Sequence, residues 1–180
     1  AINNYKKAIK INPRLLSTYS NYIYSLNFFE YFNYNEFLEV IKKFKKNIPK
    51  LKFNFNQNIK KNNLNKKINI GFVSGDFGIH PVSFFLIDLI DKINKKKFNL
   101  FAYSNSERND SMTNELKKKF SSWIQVNNMN DETLIKIIKK DNIDILFDLS
   151  GHTGHNRLSV FVNRAAPIKI TWLGYNASTG

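Results

Sequence analysis

The segment from Ile68 to Ile90, INIGFVSGDFGIHPVSFFLIDLI, most strongly limits the folds that this chain can adopt. A run typical of a buried strand leads directly into a polar, glycine-bearing loop and then into an apolar helix. In an open parallel sheet, such a loop lies where the carboxyl end of a strand meets the amino end of a helix, which is the usual location for ligands. The pattern therefore predicts an α/β fold with a site at this loop, and His80 is its first candidate.

Short β-rich runs and helical runs alternate along the rest of the chain. Strands are predicted at residues 68–74, 98–103, 123–126, 143–149 and 168–173, and helices at residues 82–93, 111–120, 131–140 and 156–163. Asp131, followed by Glu132, is the predicted cap of the third of these helices. Five strands separated by helices predict a parallel sheet wound by right-handed crossovers.

The first fifty residues have a helical pattern. Ala1, Tyr5, Ala8 and Pro13 have the spacing of the second helix of a tetratricopeptide repeat, although a single amphipathic helix stopped by a proline would look similar. Residues 15–32 are interpreted as a degenerate or capping repeat, and a third helix is predicted at residues 34–47. Since one repeat cannot bury its own apolar face, further residues are expected before the first one here.

The segment between these two regions contains many Asn and Lys residues and has no sustained period, which is typical of a linker. The expected organisation is a helical domain at residues 1–50, a linker at 51–66 and an α/β domain at 67–180. The hydrophobic content of 42% is enough for a real core in a chain of 180 residues.

Composition excludes several classes of function. The formal charge of +14 invites a nucleic-acid interpretation, but the lysines are spread among Asn, Ile, Phe and Tyr, and only four residues are arginines, so nucleic-acid binding is disfavoured. The absence of cysteine excludes disulfides, thiolate nucleophiles and cysteine zinc sites. The sequence has neither a membrane-length apolar run nor an export signal, and a cytoplasmic protein with no membrane partner is expected.

Three polar clusters follow predicted strands, at residues 74–81, 148–157 and 174–180. The carboxyl ends of parallel strands share one edge of a sheet, so the clusters are expected to converge on one cleft. All three histidines, His80, His152 and His155, lie in these clusters, which favours a functional role over a purely structural one. A zinc site is a poor alternative because only Asp76 and Asp148 are plausible carboxylate ligands nearby.

Several residues in these clusters keep two interpretations. Asp76 and Asp148 can orient a histidine or bond a ligand hydroxyl, but they can equally cap a helix or turn. The glycines permit close backbone approach but match no Walker or dinucleotide fingerprint, so they do not establish phosphate binding. Trp172 and Tyr175 can stack on a sugar or base, but core packing is at least as good an interpretation.

The motifs SGDFGIHPVSFFL, FDLSGHTGHNRLSVF and RAAPIKITWLGYNASTG, in this order after a repeat-like end, resemble the amino-terminal catalytic lobe of protein O-GlcNAc transferases, including the SPINDLY-like proteins. The resemblance implies an α/β, Rossmann-like lobe, half of a glycosyltransferase-B fold, preceded by the end of a tetratricopeptide superhelix. It also implies an inverting, metal-independent enzyme without a cofactor. Such an enzyme transfers GlcNAc from UDP-GlcNAc, or fucose from GDP-fucose in the SPINDLY branch, to Ser or Thr hydroxyls of proteins bound through the repeats.

Individual site residues follow from the same resemblance. His80 matches the active-site histidine, which acts as a general base or positions the acceptor, while His152 and Thr153 match a loop near the donor sugar and phosphates. Asn176 stands where the family often has proline, which leaves the contribution of this last loop to donor binding open. The other residues that the resemblance assigns to donor or substrate binding are Asp76, Pro81, Gly174, Tyr175, Thr179 and Gly180.

Two other functions compete with the transferase. One is a non-catalytic repeat protein whose α/β part supports partner binding, and the other is a different nucleotide-dependent enzyme on a Rossmann-like sheet. The family's nucleotide pocket lies in a second lobe that this chain does not include. The chain is therefore expected to be a fragment that is inactive alone.

Overall fold

The computed structural model describes residues 1–28, 31–51 and 66–180. Within these ranges the elements are, in chain order, α1 (Ile2–Ile11), α2 (Leu16–Leu26), α3 (Tyr34–Asn47), β1 (Ile68–Ser74), α4 (Pro81–Lys92), β2 (Phe98–Ser104), α5 (Ser111–Lys119), β3 (Ser122–Gln125), α6 (Asp131–Lys140), β4 (Ile145–Asp148), α7 (Leu158–Val162) and β5 (Ile168–Thr171). Most of the predicted linker, residues 52–65, lies outside the described residues, as do residues 29–30 of the predicted second helix.

The five strands form one parallel sheet in the order β3-β2-β1-β4-β5, which confirms the predicted Rossmann-like α/β fold. β1 is the central strand and is buried from its second residue onward. Alternate residues of each strand pack into two apolar clusters. Phe72 and Leu100 contact α4 and α5 on one face, whereas Val73 and Leu146 contact α6 and α7 on the other.

One helix cap and two helix starts differ from the predictions, and the smaller of the two shifts is that of α4, which begins at Pro81, one residue earlier than predicted. The cap of α6 is Asn130 and not Asp131, because the Asn130 side chain accepts the Thr133 N–H at 2.8 Å and Asp131 occupies the first helical position. α7 begins two residues later than predicted. His155 has a φ of 56°, in the left-handed region that cannot continue into a helix, and the residues after it remain in the loop.

Helices α1, α2 and α3 pack around an apolar cluster that includes Tyr19, Ile23 and Phe44. Leu158 of α7 is buried in the same cluster, so the helical segment is joined to the α/β part by shared core packing. Immediately after α7, the Asn163 side chain accepts the Leu51 N–H at 2.8 Å. The two parts are therefore in direct contact on the α7 side of the sheet.

One face of the sheet near β5 is incompletely covered by the residues described here. Ile168 of β5 is 52% exposed and Phe85 of α4 is 66% exposed. α4 and α5 cover the other strands on this face, where the apolar side chains are buried. The loops that carry the predicted site residues lie elsewhere, at the carboxyl edge of the strands.

Candidate functional site

Three loops meet at the carboxyl edge of the sheet, as the strand order requires. Asn105, just after β2, donates its backbone N–H to the Ser74 carbonyl oxygen at 2.7 Å, and its side-chain amide donates to the His155 carbonyl oxygen at 2.7 Å. A Cβ on Gly75 would lie 2.6 Å from the His155 Cβ, so glycine is needed for this close approach. The loops after β1, β2 and β4 are therefore held as one unit.

The loop after β1 gathers a histidine, a carboxylate and an arginine. The Asp76 Oδ1 atom lies 3.8 Å from His80 Nε2 and 3.9 Å from Arg108 Nη2. The His80 side chain is 35% exposed, while that of Asp76 is largely enclosed. The two residues that sequence reasoning placed at this site thus lie together, with Arg108 as an additional neighbour.

His80 also begins helix α4, and this restricts its chemistry. Its Nδ1 atom accepts the Val82 N–H at 3.3 Å, and Pro81 occupies the first helical position. An accepting Nδ1 leaves the proton of the neutral ring on Nε2, which faces Asp76. In this arrangement the imidazole offers an N–H donor, and its one lone pair is already in use.

Asp110, the N-cap residue of helix α5, stabilises this loop by hydrogen bonds. Its carboxylate accepts the Ile79 N–H at 2.8 Å and the Thr113 N–H at 2.9 Å, and these hydrogen bonds lower its pKa, with Ile79 contributing most. A Cβ on Gly78 would lie 2.7 Å from the Asp110 carboxylate, so the loop passes directly over it. The position of His80 therefore depends on α5 as well as on α4.

The loop after β4 is organised by Asp148, which is buried at the end of that strand. Its carboxylate accepts the N–H groups of Ser150 and Gly151 at 3.0 Å, and burial raises its pKa in spite of these bonds. The Thr153 hydroxyl donates to the Ser150 carbonyl oxygen at 2.8 Å. Asp148 thus has the turn-capping role that was one of its two predicted interpretations.

The loop of residues 174–180 packs between the β4–α7 loop and the helical segment. A Cβ on Gly174 would lie 1.7 Å from the Leu149 carbonyl oxygen, and one on Gly180 would lie 2.4 Å from Ile41 of α3. The contact region between this loop, the β4–α7 loop and helices α2 and α3 is called the seam. His152 and Tyr175, both predicted to bind the donor, are buried in it. Burial lowers the pKa of His152 to about 4, so its ring is neutral at neutral pH.

The sequence profile of glycosyl transferase family 41 matches residues 38–180, which include all three of these loops. The chain belongs to glycosyl transferase family 41.

Known family 41 proteins resemble the chain in sequence and in structure. A probable UDP-N-acetylglucosamine–peptide N-acetylglucosaminyltransferase SPINDLY of Arabidopsis thaliana is 32% identical over 119 residues, or 64% of this chain and 13% of that protein. The protein of the same name from Oryza sativa subsp. japonica is 28% identical across 99% of the chain, which corresponds to 20% of its own length. The chain therefore spans a fifth or less of these relatives.

A solved structure supports the same relationship. A lysine-to-methionine mutant of the Thermobaculum terrenum O-GlcNAc transferase superposes with a TM-score of 0.85 and 26% sequence identity, and the match covers 97% of this chain and 34% of that one. The described residues therefore have the fold of a catalytic lobe of an O-GlcNAc transferase. This fold is consistent with half of a glycosyltransferase-B architecture.

Two residues that hold these loops in place, Arg157 and Asp110, were missed by sequence reasoning. Arg157 donates to Asn105 Oδ1 at 3.1 Å, to Asp131 Oδ1 at 2.7 Å and to the Val126 and Met129 carbonyl oxygens at 2.7 Å. No local pattern identifies Arg157, because its four partners come from distant segments. Asp110, by contrast, could have been found from its position just before a predicted helix.

The predicted site residues fall into two groups. Asp76, His80 and Pro81 surround the start of α4, whereas His152, Tyr175 and Thr179 lie at the seam with the helices, where His152 bonds Thr179. The roles of all these residues in binding or catalysis stay predictions. The remaining predicted residues belong to the loops between the groups or beside them, namely Thr153, Gly174 and Gly180.

A cavity of about 400 Å³ separates α2 from the loops after β2, β3 and β4. Its lining is mixed: the apolar side chains of Leu16, Phe44 and Met129 lie beside polar ones that include Ser17, Ser20, Asn127, His155 and Asn156. In residues 1–28, 31–51 and 66–180 there is no group of three or more His, Cys, Asp or Glu side chains that could hold a metal ion. Over the same residues, no helix is long and apolar enough to cross a membrane.

Proposed function

We propose that the full-length polypeptide containing this chain transfers GlcNAc from UDP-GlcNAc to Ser and Thr hydroxyls of proteins, with inversion and without a metal or cofactor. The observation that carries the proposal is the family 41 match over residues 38–180. It is supported by relatives named as UDP-N-acetylglucosamine–peptide N-acetylglucosaminyltransferases, including one from Caenorhabditis elegans that is 29% identical over 118 residues.

The chemistry of this transfer depends mainly on positioning and electrostatics. A Ser or Thr hydroxyl is a weak nucleophile, and negative charge develops on the leaving diphosphate. Holding the hydroxyl in line with the anomeric carbon and stabilising the leaving group therefore supply most of the acceleration. Conformationally fixed loops suit this task, and the loops after β1, β2 and β4 are hydrogen-bonded to one another.

Within this scheme, His80 positions the acceptor hydroxyl. Its Nδ1 lone pair is used by the Val82 N–H, and its Nε2–H faces Asp76 at 3.8 Å. A general base needs a free lone pair directed at the proton that it removes, and the observed hydrogen bonding leaves none. Asp76, which lies between His80 and Arg108, sets the orientation of the imidazole.

The donor side is formed by the other two loops. Thr153, Gly174, Thr179 and Gly180 line it, Pro81 borders it at the start of α4, and His152 and Tyr175 support it from the seam. Helices α1–α3, as the end of a tetratricopeptide array, contribute to binding acceptor proteins, and the protein acts in the cytoplasm. The scheme requires no nucleic-acid or membrane partner.

The test is a transfer assay on the full-length polypeptide with UDP-GlcNAc and a mixed Ser/Thr peptide pool, read by peptide mass, with GDP-fucose in a parallel reaction. We expect a gain of one N-acetylhexosamine from UDP-GlcNAc. A gain of fucose alone would overturn the proposed donor. No gain from either donor, together with no nucleotide binding, would overturn the enzyme and favour the repeat scaffold.

Two substitutions of His80 test its role in the same assay. His80→Ala removes both the helix cap and the side-chain donor, and we expect kcat to fall by about 10²-fold or more. His80→Asn keeps an acceptor for the Val82 N–H and an N–H donor, so we expect it to retain most of the activity that alanine loses. Equal losses in both variants would contradict the positioning role, because the amide keeps both the acceptor and the donor.

A further inference from the structure

The loop of residues 174–180 contacts the helical segment at more than one point. Gly180 lies against Ile41 of α3, where an added Cβ would be 2.4 Å from Ile41 Cγ2. On its other side the loop is pressed onto the β4–α7 loop, since a Cβ on Gly151 would lie 2.3 Å from the Tyr175 Cβ. A displacement of α3 would therefore change the contacts of this loop.

His152 makes the central polar link in this seam. Its Nδ1 atom lies 3.1 Å from the Ser20 hydroxyl of α2, and its Nε2 atom lies 3.2 Å from the Thr179 carbonyl oxygen. A carbonyl oxygen can only accept, so Nε2 carries the proton and donates to Thr179, while Nδ1 accepts from Ser20. One imidazole thus joins a helix of the repeat-like segment to the 174–180 loop.

Among the residues that the structure describes, Ser20 and Thr179 are the polar partners of the His152 ring, and the rest of its surroundings are apolar or aromatic. Its side chain is 1% exposed, and its ring meets the rings of Phe44 and Tyr175 edge-on at centroid distances of 5.2 and 5.6 Å. Both ring nitrogens are already bonded, so the ring presents no polar atom to a bound sugar nucleotide. His152 could contact the sugar nucleotide directly only if the 174–180 loop and α2 moved apart.

A second link runs beside the first. The Asn27 side-chain amide of α2 donates to the Tyr175 hydroxyl at 2.8 Å, and the Tyr24 ring lies 6.2 Å from the Tyr175 ring. Tyr175 follows Gly174, which packs on the Leu149 carbonyl oxygen. The 174–180 loop is therefore linked to α2 near both of its ends. Tyr175 bonds Asn27 directly, and the Thr179 carbonyl is linked to Ser20 through the His152 ring.

We propose that His152 is a positioning residue that transmits the placement of helix α2, through Ser20, to the 174–180 loop. Resting on the proposed function, this makes the loop the route by which an acceptor protein held on the helices changes the affinity for the nucleotide sugar. By thermodynamic reciprocity, the bound nucleotide sugar changes the affinity for the acceptor by the same factor. His152 then acts on the donor through the loop and not by touching it.

The link itself is tested on the 180-residue chain, independently of activity. Ser20→Ala removes the hydroxyl that donates to Nδ1, and Ser17→Ala, an exposed serine one turn earlier on α2, is the matched control. We expect the backbone ¹⁵N order parameters of residues 176–180 to fall from about 0.85 to below about 0.6 in Ser20→Ala and to remain unchanged in Ser17→Ala. Unchanged order parameters in a folded Ser20→Ala protein would overturn the proposal.

Substitutions of His152 test whether its hydrogen bonds, and not only its volume, hold the 174–180 loop in place. The amide of His152→Gln can donate to the Thr179 carbonyl and accept from Ser20, so it is expected to restore loop order, whereas His152→Ala is not. In wild type, imidazole ¹⁵N shifts should report a neutral ring protonated at Nε2. Equal loop order in the Gln and Ala variants would overturn the positioning role.

The functional consequence is measured on the full-length polypeptide. We expect Ser20→Ala to raise the KM for UDP-GlcNAc about fivefold, the effect of losing one hydrogen bond, with Ser17→Ala equal to wild type. A folded Ser20→Ala enzyme with wild-type KM would overturn the proposed coupling. If the wild type transfers no sugar, the proposed function fails, and the order parameters still decide whether His152 positions the loop.

Discussion

At the scale of single residues, Gly174 has the least space for a side chain among the glycines of this site. A Cβ at Gly174 would lie 1.7 Å from the Leu149 carbonyl oxygen, a backbone atom that cannot move aside without displacing the end of β4. We expect Gly174→Ala to lower the free energy of unfolding by about 2–4 kcal/mol, measured by urea denaturation.

Gly154 offers a matched control on the neighbouring loop. Apart from its chain neighbours, no atom of residues 1–28, 31–51 and 66–180 lies within 4 Å of a Cβ built there, and its φ is outside the left-handed region. Gly154→Ala should therefore change stability by less than about 0.5 kcal/mol. If both variants were equally stable, the close contact at Gly174 would be contradicted.

Buried His152 makes stability depend on pH in a predictable direction. Its pKa is about 4 in the folded protein and near 6.5 in the unfolded chain, so below pH 6.5 the unfolded state binds a proton that the folded state excludes. Its contribution is full above about pH 6.5 and is lost as the pH falls toward 4, to a total of about 3 kcal/mol.

The measurement compares wild type with His152→Gln by denaturant unfolding from pH 7.5 to 4. The difference between the two proteins isolates His152 from Asp148, whose raised pKa acts in the opposite direction at low pH. Parallel stability curves for the two proteins would show that His152 titrates normally.

At the scale of secondary-structure elements, the sheet edge depends on one arginine. Arg157 joins the loop after β2 to the residues that precede α6 and to α6 itself, through Asn105, Val126, Met129 and Asp131. A lysine keeps the charge but cannot reproduce the planar fork that reaches four acceptors. We expect Arg157→Lys to cost about 2 kcal/mol of stability by urea denaturation.

Arg14 provides the control for this change. It is exposed in the turn between α1 and α2, where its backbone N–H bonds Asn12, so Arg14→Lys should leave stability unchanged. A loss of similar size in both variants would assign the effect to arginine content in general and not to the Arg157 bonds.

At the scale of the whole molecule, the helical segment and the α/β part share core packing. Leu158 of α7 is 6% exposed and belongs to the apolar cluster of α1–α3. Both tryptophans, Trp123 and Trp172, lie in the α/β part, so their fluorescence reports on that part while far-ultraviolet circular dichroism also reports on the helices. We expect the two signals to change together during unfolding.

Leu158→Ala should weaken this connection. We expect a loss of about 3 kcal/mol and a separation of the fluorescence and circular-dichroism transitions. Val162, 42% exposed on the same helix, is the control, and Val162→Ala should keep the transitions coincident. Separate transitions in the wild type would contradict the shared packing.

Local sequence patterns were sufficient to predict the strands and helices of the α/β part. The apolar run from Ile68, the helical periods and the proline after His80 each predict structure from residues near one another in sequence, and the five strands appear where they were expected. The meeting of their polar loops at one edge follows from parallel topology, whereas the order of the strands comes from the structure alone. Short-range errors, such as the cap at Asn130 instead of Asp131, arose where two adjacent residues were both good caps.

The sequence by itself determined the α/β fold, the edge on which the polar loops lie and the resemblance to protein O-GlcNAc transferases, because these depend on periodicity and on contiguous motifs. Only the tertiary structure decided how the loops are used. It attached His80 Nδ1 to α4, enclosed His152 between Ser20 and Thr179, and gave Arg157 its four acceptors. The last two arrangements depend on residues distant in the chain, whose contacts are set by the packing of whole helices against the sheet and leave no trace in local spacing.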